Sequence, residues 1–328
     1  MKQVDNIRPI VDKILQDADQ VSSSGLYYGK AGISISLFAA SAYLQDEKLA
    51  DKAYDLLQQS LISINNDISF ENGLTGMGYV LLYLTENNYV ETDFDEVFGM
   101  QFRNIINSFE KIDKDPVRLL DTMQAVYFLS KVSRYKQQEY DRIQEIIRKI
   151  FEGLELYLTV QLQDFNDVRY INRKVDVLNI FETYLKLIDY SGYARFSRMV
   201  LNDYATLYRK GMIASSLETG HYLHLLTTKN GIEGYDDIIS GHISSGIKNI
   251  YPCTLSLKER IGLAKLMRIH KPSGISGNDI ILDKRSIQNE YKSLNMLKMD
   301  NMKFNPSGYG YGLARLLLFY VNHEMELL

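Results

Sequence analysis

One cysteine, Cys253, is all the thiol chemistry that the 328-residue sequence contains. No intrachain disulfide can form, and no site that needs two thiolates can be assembled within one chain. Tryptophan is absent, and proline occurs five times, so that the 135 residues from Val117 to Tyr251 carry none. Because proline breaks helices and removes a backbone donor, that gap favours helix. Long apolar runs are lacking as well. The uncharged stretch Ala31 to Gln45 is 15 residues, short of the roughly 18 to 20 that a bilayer-spanning helix needs. The opening MKQVDNIRPIVDKIL mixes charged with apolar residues and has no signal-peptide core. A soluble, cytoplasmic protein without membrane contact is expected. Excess charge of one sign is the last absence: 37 basic against 41 acidic side chains leave −4, with no basic block to track a phosphate backbone, so nucleic acid is not expected as a partner.

What is present suits a large core. Hydrophobic residues make up 45% and charged residues 24%, ordinary values for a globular chain. Apolar residues recur at intervals of three and four, as in RIQEIIRKIFEGLELYL, while strict alternation is scarce. The chain is therefore predicted to be all-α. Glycines cluster before apolar runs in GLYYGKAGISISLF, NGLTGMGYVLLYL and PSGYGYGLARLLLFY. Gly29 and Gly76 lie 47 residues apart, and Gly76 and Gly310 lie 234 apart, five such periods. Weaker copies follow at the same spacing in LLDTMQAVYFLSKV, KVDVLNIFETYLKLI, SSLETGHYLHLL and KERIGLAKLMRI, with amphipathic segments such as DKAYDLLQQSLISI between them. This pattern predicts about seven pairs of inner and outer helices in one domain over residues 1–328. A closed α/α toroid is the reading preferred over an open solenoid or an irregular bundle. The glycines are expected to allow tight turns and close approach of inner helices.

The segments GLYYGKAG, FENGLTGMGYVLLYL and SGYGYGLARLLLFY resemble the lanthionine synthetase C-like family. The resemblance implies an α/α toroid of seven helix pairs and a place in the maturation of ribosomally made peptides. There a cysteine thiol adds to a dehydrated serine or threonine to close a thioether ring. It also implies a zinc ion, held by two cysteines and a histidine, that lowers the pKa of the attacking thiol. This sequence departs from the family at those ligands: on the glycine frame they fall near Ser215, Leu257 and Lys258. The alanine-histidine-glycine motif is missing from the fourth unit. A zinc-free pseudoenzyme is expected, with no metal and no cofactor, that binds a precursor peptide or a modifying-enzyme partner instead of closing rings. The alternative is a zinc-independent hydrolase or lyase of glycan type, using carboxylates in the cavity.

Candidate residues follow from both readings, although no catalytic residue is assigned. Lys30, Asp121, Asp176, Glu218, His221 and Tyr309 are the expected lining of a central, substrate-binding cavity. Glu218, His221 and His224 recur every three residues, so neighbouring pairs share a helix face. All three converge poorly on one ion, and a further ligand such as Cys253 or His242 would have to come from elsewhere; a capped, partly buried helix start is the preferred reading. Cys253 has no base beside it in sequence and is expected to be inert. Two glycine-rich stretches, TTKNGIEGYDDIISGHISSGIK and HKPSGISGNDIILDKRS, look like loops that form a binding mouth or simply connect helices.

Overall fold

A computed structural model describes residues 4–62, 66–111, 122–166, 171–248, 255–270, 307–310 and 312–322. Among them every regular element is helical: α1 (Val4–Ala18), α2 (Lys30–Leu44), α3 (Glu47–Ile62), α4 (Leu74–Glu86), α5 (Phe94–Lys111), α6 (Ala125–Tyr135), α7 (Tyr140–Gln163), α8 (Ile171–Ser191), α9 (Arg198–Arg209), α10 (Leu217–Asn230), α11 (Asp236–Lys248), α12 (Leu257–His270) and α13 (Leu313–Val321), with two short 3-10 turns flanking α7. The all-α class predicted from periodicity is the one observed. The chain divides into two compact units, one of residues 1–105, 252–265 and 273–328, the other of residues 106–251 and 266–272.

In the first unit, burial separates two kinds of helix. From Ala31 to Ser41 every residue of α2 is buried, and so is every residue of α4 from Leu74 to Leu84. The next helix, α3, buries only Leu49, Ala53, Leu56, Leu57 and Ser60, one stripe of its surface. A helix that is apolar all round belongs inside, whereas an amphipathic one covers it. That is the inner and outer pairing the sequence suggested.

The three glycine-rich segments of this unit share one construction. Gly29, Gly73 and Gly312 are the N-caps of α2, α4 and α13, all in extended backbone, so none is there for a left-handed conformation. None has a side chain to cap the helix. The chain upstream supplies carbonyls instead: Lys30 N–H donates to Ser23 at 3.0 Å, Leu74 N–H to Asp67 at 2.7 Å and Ala314 N–H to Ser307 at 3.3 Å. Helix starts leave N–H groups orphaned, and this folded-back segment satisfies some of them. A Cβ at Gly76 would sit 2.0 Å from the carbonyl oxygen of Phe70, and one at Gly32 would sit 1.8 Å from that of Leu26. Only glycine permits the fold-back.

These segments are also stitched to each other. Gly310 N–H donates to the Tyr27 carbonyl at 2.8 Å, and Tyr27 N–H donates to the Glu71 carbonyl at 2.7 Å. The last segment thus bonds to the first and the first to the second, while α13 packs on α2 and α1. The structure corrects the repeat register. Gly76 corresponds to Gly32 and not to Gly29, and the N-caps Gly29 and Gly73 lie 44 residues apart.

In the second unit α7 packs against α6, α8 and α9, α8 against α10, and α10 against α11. One expectation fails here. Most of TTKNGIEGYDDIISGHISSGIK is not a loop, because Asp236–Lys248 is the helix α11. Its glycines answer to packing: a Cβ at Gly246 would meet the backbone nitrogen of Leu217 at 2.6 Å, and one at Gly220 of α10 would meet the Cβ of His242 at 2.7 Å. The stretch HKPSGISGNDIILDKRS lies outside the described residues after His270.

Two glycines of the first unit make a paired test. Gly76→Ala forces a methyl into Phe70 backbone and should lower stability by roughly 2 to 3 kcal/mol. Gly99→Ala, inside α5 with its nearest neighbour at 3.5 Å, should raise it by about 0.5 to 1 kcal/mol. Chemical denaturation of the two variants checks the opposite signs.

Candidate functional site

A set of interacting polar side chains in the second unit lies between α8 and α10. Glu182 and Lys186 stand four residues apart on α8, one turn of the same face. Lys186 Nζ donates to Glu182 Oε1 at 3.2 Å and to Glu218 Oε1 of α10 at 2.5 Å. All three side chains keep about a quarter of their surface exposed, so the cluster opens outward while its far side is buried. Tyr222, one turn along α10, places its ring 5.8 Å from the ammonium.

The buried side is held by the start of α10. Ser216 is the N-cap, its hydroxyl oxygen accepting from Thr219 N–H, as serine caps do. The same hydroxyl donates to Glu182 Oε2 at 2.9 Å, and the Thr219 hydroxyl donates to that oxygen at 3.2 Å. Behind them Ser216 N–H donates to His242 Nδ1 at 3.0 Å. A backbone N–H can only donate, so His242 carries its proton on Nε2 and gives it to the Tyr204 hydroxyl at 3.3 Å. Tyr204 bonds in turn to Thr219. The chain from the α10 cap through His242, Tyr204 and Thr219 ends on Glu182.

Burial sets the protonation of this network. It pushes the Glu182 carboxyl up to about 7, and the neighbouring Glu218 carboxylate adds to the rise against the pull of Lys186. Burial alone would lower the Lys186 ammonium, but Glu218 and Glu182 offset it and hold the group above the usual lysine range. His242 is wholly buried and held down to about 4 by desolvation. His221 is also brought to about 4, by burial first and then by His270 and His224. Its Nδ1 lies 2.9 Å from Nε2 of His270, at the end of α12. Two neutral imidazoles can share one hydrogen bond in this way.

The sequence-derived candidates distribute as follows. Glu218 belongs to this cluster, and His221, three residues on, pairs with His270. His224 is exposed, one turn further along α10. Asp176 is an exposed residue of α8, six positions before Glu182. Lys30 and Tyr309 belong to the first unit. Lys30 opens α2 and donates to Gln59 Oε1 at 2.6 Å. Tyr309 is 1% exposed, beside the ring of Tyr27 and beneath the Arg315 guanidinium, 4.5 Å from its ring centre. Asp121 and Cys253 lie outside the described residues. His242, weighed as a further ligand, has both ring nitrogens engaged within the network. Among the described residues no three His, Cys, Asp or Glu side chains converge on one ion position. Glu182, Lys186 and His270 were missed. The signal for the first two was an ionic pair at i and i+4 in FETYLK, within a helix otherwise buried through Phe181, Tyr184, Leu185, Leu187 and Ile188.

The two shifts give a pH test with opposite slopes. Glu182 is raised from its ordinary 4.5 to about 7, so its contribution to stability is complete below pH 4.5 and is lost as pH rises through 7. His242 is lowered from 6.5 to about 4, so its contribution is complete above pH 6.5 and is lost as pH falls through 4. Urea denaturation at pH 5 and pH 8 should show Glu182→Gln gaining on the wild type at the higher pH. An identical difference at both values would show that Glu182 does not titrate in this range.

No helix among the described residues is long and apolar enough to cross a membrane. No curated protein and no solved structure matches the chain. The family model described as Lanthionine synthetase C-like protein does match, over residues 2–118. That span contains the first two glycine-capped helices, α2 and α4, with their folded-back carbonyls and their bond from Tyr27 to Glu71. Over residues 2–118 the chain is similar to that family.

Proposed function

We propose that the chain forms one toroidal domain of about seven helix pairs and serves a cytoplasmic pathway that modifies a ribosomally made peptide. In this reading it binds the precursor peptide or a modifying enzyme and does not close thioether rings. The observation that carries it is the cysteine count: a protein with Cys253 alone cannot offer the pair of thiolates that hold zinc in the family's chemistry. Without that ion an attacking cysteine thiol keeps its ordinary pKa, and only a few per cent of it is thiolate at neutral pH.

A second reading, a carboxylate-using hydrolase or lyase, is favoured by the contact between Glu182 and Glu218. Two carboxyls in contact cannot both ionise readily, so one is kept protonated near neutrality and the other charged, the division that acid and base steps need. Of the carboxylates expected from sequence, Glu218 belongs to this pair, whereas Asp176 is exposed.

One experiment separates the readings. A peptide carrying dehydroalanine and cysteine is incubated with the protein and zinc, then alkylated at free thiol and weighed by mass spectrometry. Full alkylation, together with binding of the labelled peptide measured by fluorescence anisotropy, is the expected result. Ring closure above the uncatalysed rate would overturn the accessory reading. Should hydrolysis or elimination appear instead, Glu182→Gln is expected to reduce it by about 10²- to 10⁴-fold.

A further inference from the structure

The His221–His270 contact lies beyond that reading. Helix α10 presents His221 from its second turn, and α12 brings His270 to it, so that two imidazole nitrogens meet at 2.9 Å from segments 49 residues apart. The rings stand at 80° with centroids 5.1 Å apart. His224, three residues after His221, lies close enough that its charge disfavours charge on both rings, and Glu218, three residues before, favours it on His221. The sequence pattern of Glu218, His221 and His224 lacked a group from another element, and the structure brings His270 to His221 alone.

We propose that His221 and His270 bind a single divalent transition-metal ion of the zinc, cobalt, nickel or copper class. Imidazole nitrogen suits those ions and discriminates against magnesium and calcium, which prefer oxygen. A tetrahedral ion with metal–nitrogen bonds of about 2.0 to 2.1 Å holds two nitrogens roughly 3.4 Å apart. The pair would open by roughly 0.5 Å to admit it, a small side-chain movement at a contact that His270, only partly buried, can yield. Because no third His, Cys, Asp or Glu among the described residues converges on the point, the remaining positions go to water or to an incoming ligand. The site contains no sulfur and so differs in kind from a thiolate-held zinc.

Cobalt(II) is the probe, added to chelator-stripped full-length protein and followed by absorption, with zinc titrated in parallel by calorimetry. One equivalent should bind with a visible d–d spectrum and no thiolate-to-cobalt charge-transfer band. His270→Ala should weaken binding at least tenfold, and His221→Gln should do the same, each variant checked for an unchanged helical circular-dichroism spectrum. Failure to bind one equivalent, binding unaffected by His270→Ala, or a charge-transfer band from Cys253 would each overturn the proposal. Peptide binding measured in the presence of the chelator judges the accessory reading separately.

Discussion

Backbone touching backbone is the constraint on which the first unit depends. The segments before α2, α4 and α13 fold back so far that their carbonyls cap the helices they precede, and the distance allowed at Gly32 and Gly76 is shorter than any side chain tolerates. The fold-back turns each segment's flank toward its neighbour, where the Tyr27 and Gly310 amides find their acceptors. Inner helices can then be apolar all round, because their polar starts are satisfied by main chain and ask nothing of side chains. The amphipathic partners supply the wet surface.

The second unit solves the same problem with side chains. At α10 a serine replaces the glycine cap, and its hydroxyl both accepts from the helix and donates to a carboxylate from α8. A side-chain cap can be wired to other groups, which a bare backbone cap cannot. The result is a polar network whose buried end is fully directed by one backbone N–H, through His242 and Tyr204, and whose open end is the Lys186 ammonium held between two carboxyl groups. Low local dielectric strengthens such a network when every member is satisfied and makes each unpaired member costly. Glu182 sits at the junction of the two regimes.

Helicity was legible because it depends on local period and on the rarity of proline. The inner and outer distinction was legible because the apolar runs in α2 and α4 leave no polar face. The repeat register was misread because Gly29 and Gly76 look alike as letters while occupying different places, one an N-cap and the other the third residue of a helix. Helix α11 was read as loop for a related reason: Gly241 and Gly246 suggested flexibility, yet they make room for Tyr208 and for Leu217. Of the candidate site, Glu218 and His221 were visible from spacing on one helix. Glu182 left only its i, i+4 spacing to Lys186 as a local mark; its reach to Ser216, 34 residues on, and that of His270 to His221, 49 residues away, have no local signal.

The bond from Gly310 to Tyr27 has a bearing on how the chain is made. Ser307 also reaches Asp17, 290 positions earlier, at 2.6 Å. During synthesis the amino-terminal helices emerge long before the segment that covers them, and pairings so distant in sequence form slowly because the intervening chain must be closed into a loop. Until α13 emerges, the surfaces of α1 and α2 that it covers stay bare, a nascent state prone to aggregation and suited to chaperone binding.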